Sequence, residues 1–102
     1  MLNGRAQRPY PWAVTALPGA DLVARGVADL EAGELTVEAL LVSIGWPRLQ
    51  ALGLDLPTPA AHAEEALYER LAAEDPDAAH SRYNALVRRL VSYERAAECA
   101  SK

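Results

Sequence analysis

Apolar residues recur along most of this chain at helical spacing, and the densest run is Thr36–Gly53, TVEALLVSIGWPRLQALG. Val37, Leu40, Leu41 and Ile44 fall at i, i+3, i+4 and i+7, on one helical face, while Ala39 and Val42 widen it. Thr36 is placed to cap this helix through its hydroxyl, and Glu38 puts a negative charge in the first turn, where the helix dipole favours it. Gly45, Trp46 and Pro47 interrupt the pattern, because proline lacks an N–H and disfavours helical geometry at the residue before it. Arg48 to Leu52 then reads as a short second segment, with Gly53 available for a left-handed C-terminal cap.

Upstream, Pro18 opens a segment in which Leu22, Val23, Val27 and Leu30 share a face, with Asp21 in the first turn and Gly33 at the end. Gly26, mid-helix, costs on the order of 1 kcal/mol against alanine and so marks either a close helix approach or a tolerated defect. Downstream, Thr58-Pro59 and Asp75-Pro76 each read as a cap followed by a first-position proline. Ala60, Ala63, Leu67 and Leu71 turn inward with Tyr68 beside them, and Glu64, Glu65 and Glu69 face out. The last segment is the most regular, with Ala79, Tyr83, Leu86, Leu90, Tyr93 and Ala97 alternating spacings of four and three. The periodicity predicts helices over 18–32, 36–45, 47–53, 59–74 and 76–99. That is an all-α fold: a small compact bundle of four main helices plus a short helical turn, closed by a C-terminal antiparallel helical hairpin.

Composition agrees with helix over sheet. Alanine and leucine dominate the apolar half, β-branched residues are sparse and phenylalanine is absent from the 102 residues. The length suits one domain over 18–102, preceded by an extended arm over 1–17 whose Pro9, Tyr10, Pro11 and Trp12 cannot sit in a continuous helix. Tyr10 and Trp12 either dock on the helical body or meet a partner. A single cysteine, Cys99, excludes an internal disulfide and points to a reducing, cytoplasmic setting; no signal peptide or apolar run of membrane-spanning length stands in the chain. Nine Arg against one Lys is read as the imprint of a GC-rich bacterial genome.

The net charge of −4 argues against non-specific attraction to nucleic acid. It is unevenly spread: residues 59–75 carry one basic and five acidic groups, residues 76–102 five basic and three acidic. Paired side by side, those two segments attract, each exposed ion pair adding about 0–1 kcal/mol.

The chain carries no catalytic signature. His62 with Glu65 and Asp77 with His80 stand at i, i+3, which outlines a carboxylate–histidine metal set, but about ten residues of helix, ~15 Å of rise, separate the two histidines in a hairpin. One ion within a chain cannot take both, so no metal or other cofactor is assigned. Ser43 belongs to no nucleophile motif, Cys99 has no histidine nearby in sequence, and the lysine of a phosphate-binding loop is missing.

Two functional readings remain. The wide apolar face of the central helix and the coiled-coil spacing of the last imply more hydrophobic surface than a monomer hides. This reading makes the chain a non-catalytic protein–protein interaction or oligomerisation module, a homodimer with its interface among Leu41, Val42, Tyr83, Leu86, Leu90, Tyr93 and Trp12, open to a further protein partner. The alternative is a DNA-binding regulator with a helix-turn-helix-like segment at 36–53, Arg48 and Gln50 being suitable readers of base edges. Against it stand the short second segment, bulky Leu41 at the crossing, and the acidic balance.

Overall fold

The computed structural model describes residues 17–100. The described residues form five helices: α1 Ala20–Glu31, α2 Val37–Ile44, α3 Trp46–Ala51, α4 Ala63–Glu74 and α5 Ala79–Ala100. The fold is an all-α bundle, as the periodicity requires. The arm read over 1–17, with Tyr10 and Trp12, lies outside the described residues except for Leu17, whose side chain packs against the core.

The central helix α2 explains the arrangement. It packs against α1, α4 and α5 at once and is followed directly by α3. Ala39, Leu40, Leu41, Val42 and Ser43 are all buried, so the apolar width that suggested surplus surface is used inside one chain. Three helical neighbours demand an apolar girdle rather than a stripe.

The α1–α2 contact is close because of Gly26. A Cβ at that position would lie 2.4 Å from the Glu38 carbonyl oxygen and 2.4 Å from Val42 Cγ2. Thr36 fixes the α2 start, its hydroxyl accepting from the Ala39 N–H at 3.1 Å and donating to Asp29 Oδ2 at 2.6 Å, which ties the cap back to α1. Gly33 and Gly53, at φ 79° and 100°, end α1 and α3 in the left-handed conformation. In each case the next residue's N–H closes a wider ring, Glu34 to Asp29 at 2.8 Å and Leu54 to Leu49 at 3.3 Å, the paired bonds of a Schellman motif.

Three helix starts fall within two residues of the sequence expectation, and two differ by more. Helix α4 begins at Ala63 rather than at 59, with His62 in the left-handed region at φ 52°. The residues before it are held elsewhere: Ser43 Oγ accepts the Ala60 N–H at 2.9 Å, and Trp46 Nε1 donates to the Pro57 carbonyl at 2.8 Å. These two bonds, together with the extended geometry that Pro59 imposes on Thr58, keep the connection against the α2–α3 corner. Helix α5 begins at Ala79 rather than 76, since residues 76–78 make a turn closed by the Ala78 N–H on the Asp75 carbonyl at 3.1 Å. After this turn α4 and α5 meet through the tilted rings of Tyr68 and Tyr83, 5.8 Å apart, and through Arg82 and Glu74 at 3.0 Å.

Candidate interaction surface

Leu41, Val42, Leu90 and Tyr93, expected at an interface, are buried within the single chain, Leu41, Val42 and Tyr93 fully so. They lie beneath the surface and carry the fold. Tyr83 and Leu86 keep partial exposure at the edge of the core, and Trp12 falls outside the described residues. The expected interface thus narrows to the outer flanks of α4 and α5. There the described residues leave two large hydrophobic side chains well exposed, Leu35 at 53% and Tyr68 at 40%.

Helix α4 separates these two. With 100° per residue, Ala66 and Arg70 face one flank, Glu64 and Tyr68 the other, and Glu65 and Glu69 project between them. On the Leu35 side lies a hollow of ≈ 410 Å³ lined by Leu35, Leu40, Ala66, Glu69 and Arg70. Arg70 crosses it, its guanidinium donating to the Leu35 carbonyl, and also lines a second hollow of ≈ 520 Å³. That second hollow is lined by the apolar Val37, Ala85 and Leu86 and by Thr36, Glu38, Glu74, Arg82 and Arg89. Ala85 and Arg89 continue into a third hollow of ≈ 300 Å³ with Pro18, Gly19, Arg88 and Ser92. The shared residues place the three hollows in a row, a shallow trench divided where Arg70 crosses it, beside α4 and then along α5.

The trench is arginine-rich in an acidic chain. Arg70, Arg82, Arg88 and Arg89 line it against Glu38, Glu69 and Glu74, a local balance of +1 where the whole chain carries −4. Arg82 is paired with Glu74, and Arg89 lies 3.6 Å from Asp21. On the opposite flank, burial and then the nearby Glu64 carboxylate raise the Tyr83 phenol above its ordinary 10.0.

The corner between α2 and α3 presents a different picture. Arg48 points at α5, its Nη2 3.0 Å from Glu98 Oε1, while Gln50 is exposed. Helix α3 has six residues, under two turns. One turn of α5 away from Glu98, Glu94 is 5% exposed, and a Cβ on Gly45 would fall 2.7 Å from its Oε2. Burial raises the Glu94 pKa, and the Arg48 charge pulls it back in part. Sequence reasoning passed over Glu94. The signal was its place in the last helix, four residues after Leu90 and three before Ala97, on the edge of the apolar stripe.

The residues weighed for chemistry are held in local contacts. His62 Nδ1 lies 3.8 Å from Glu65 Oε1 and His80 Nε2 3.3 Å from Asn84, both pairs on the surface. The Ser43 hydroxyl, which accepts from Ala60, also donates to the Ala39 carbonyl at 2.9 Å and so is held as a structural link. Cys99 is exposed near the end of α5. Among the described residues no helix is long and apolar enough to cross a membrane.

Compared with protein-family models, curated proteins and solved structures, the chain matches none.

Proposed function

We propose that this chain is a non-catalytic protein–protein interaction module of the cytoplasm that assembles as a homodimer through its α4–α5 surface. The observation that carries this reading is the pair of exposed apolar side chains on either side of α4, Leu35 and Tyr68, with Tyr83 and Leu86 half-buried close by. Single exposed hydrophobes are ordinary, but here Leu35 lines a hollow together with Leu40 and Ala66, and Tyr68 stands on the other flank of the same helix. Rigid aromatic side chains are effective interface anchors because little rotamer freedom is lost when they are covered.

The test is the solution mass by light scattering across a concentration series, with reductant present to remove any link through Cys99. A rise towards twice the 11.0 kDa chain mass is the expected result. Tyr68→Ser should then weaken assembly at least tenfold while the variant keeps the helicity of the parent, its unfolding midpoint falling only by the few degrees that the lost ring contact with Tyr83 accounts for. A mass of one chain at every concentration overturns the proposal.

A further inference from the structure

We infer that the occupant of the arginine-walled trench is the acidic ridge of α4 from a second copy, the two ridges and two trenches engaging reciprocally about a two-fold axis. This rests on the proposed self-association and names the surfaces that perform it. The ridge consists of Glu64, Glu65 and Glu69, all exposed, with Tyr68 standing among them. It is a helix face bearing carboxylates around one apolar anchor. The trench is the basic side of the patch: beside Val37, Ala85 and Leu86 its second hollow is lined by Arg70, Arg82 and Arg89 against Glu38 and Glu74, with Arg82 already paired to Glu74 and Arg89 3.6 Å from Asp21.

Charge decides the pairing. A two-fold that set ridge against ridge would face three carboxylates with three more, and like charges across an interface are costly. Trench against trench would set one net positive surface against another and leave both acidic ridges uncovered. Ridge against trench brings opposite signs together, and guanidinium groups suit carboxylate recognition because they donate in a planar fork.

Geometry permits closure. Glu69 of the ridge also lines the first hollow beside Arg70, so ridge and trench belong to one continuous patch. A patch with an acidic half and a basic half is self-complementary under two-fold rotation, which yields a closed dimer and not an open fibre. Arg82 and Arg89 stand seven residues apart on α5, two turns or roughly 10 Å, and a helix laid along them meets both. Exposed ion pairs add little each, so covering Leu35 and Tyr68 holds the dimer while the charges set its register.

The test is charge exchange. One variant carries Glu65→Lys with Glu69→Lys, the other Arg82→Glu with Arg89→Glu, and circular dichroism checks that each keeps the helicity of the parent. Light scattering is then run on the parent, on each variant and on their equimolar mixture. The expected result is a parental dimer weakened by salt, at least a tenfold weaker dimer for each variant alone, and recovery of a 1:1 dimer on mixing. If the parent dimerises and folded variants alone dimerise equally well, the ridge-in-trench inference is wrong while self-association stands. The inference fails in the same way if mixing restores nothing. A parent that stays at the mass of one chain overturns both.

Discussion

Gly26 of α1 rests directly on the backbone of α2, so near Glu38 that a Cβ would lie 2.4 Å from its carbonyl oxygen. A backbone oxygen cannot swing aside as a flexible side chain can, and the helices must part to admit a methyl group. Gly26→Ala gains about 1 kcal/mol of helix propensity. Overpacking of a close contact costs about 1–3 kcal/mol, and the distance here puts it at the upper end. We expect a net loss of about 2 kcal/mol, a fall in Tm of roughly 10 °C for a domain of this size. A thermal melt equal to or above the parent's would show that α1 and α2 have room to spare at their crossing.

Ser43 links α2 to the connection before α4. Removing its hydroxyl in Ser43→Ala strands the part-buried Ala60 N–H, a cost of about 1–3 kcal/mol. The loss should be local first: amide exchange at Ala60 accelerates, while that of fully buried Leu41 follows only global stability. Unchanged exchange at Ala60 would mean that Trp46, through Pro57, holds the connection without help.

The cap at Thr36 serves two helices. Thr36→Val keeps the shape but loses both the bond from Ala39 and the bond to Asp29, and should cost about 1–2 kcal/mol in urea unfolding. Thr36→Ser retains both bonds and should stay within about 0.5 kcal/mol of the parent. Equal losses in the two variants would assign the effect to the methyl group instead.

Glu94 makes stability depend on pH in a direction opposite to that of an ion-paired carboxylate. Its folded pKa is raised by burial above the ordinary 4.5, so the folded chain binds the proton more tightly than the unfolded one. The resulting stabilisation is fully present below about 4.5 and is lost as pH rises through the higher folded value. At pH 7 the buried charge is a net cost. Glu94→Gln, which keeps the shape without the charge, should therefore raise stability at pH 7, and the gain should shrink towards pH 4. Arg48→Ala should raise the Glu94 pKa further, since the Arg48 charge opposes the shift, yet cost only about 0–1 kcal/mol through its exposed bond to Glu98. Carboxyl titration followed by NMR checks both; a Glu94 pKa below the ordinary 4.5, or one that does not rise in Arg48→Ala, would refute them.

The sequence by itself determined the helices and their inward faces. Leu22, Val23 and Val27 of α1, Leu67 and Leu71 of α4, and Leu90, Tyr93 and Ala97 of α5 are buried where their spacing places them. Periodicity is a local property, and so are the caps at Thr36, Gly33 and Gly53 that stop and start the chain. The use made of each face depends on packing between helices distant in the chain. A broad apolar helix reads alike whether three helices of its own chain or a second copy cover it; packing of α1, α4 and α5 around α2 settled that for Leu41 and Val42. The Pro59 start was moved to Ala63 by bonds from Ser43, 17 residues upstream of Ala60, and from Trp46, 11 residues upstream of Pro57. The trench owes its existence to residues from α1's entry, α2, α4 and α5, which no single stretch of sequence brings together. Helix formation follows from neighbours in the chain, whereas burial, groove and charge complementarity follow from neighbours in space.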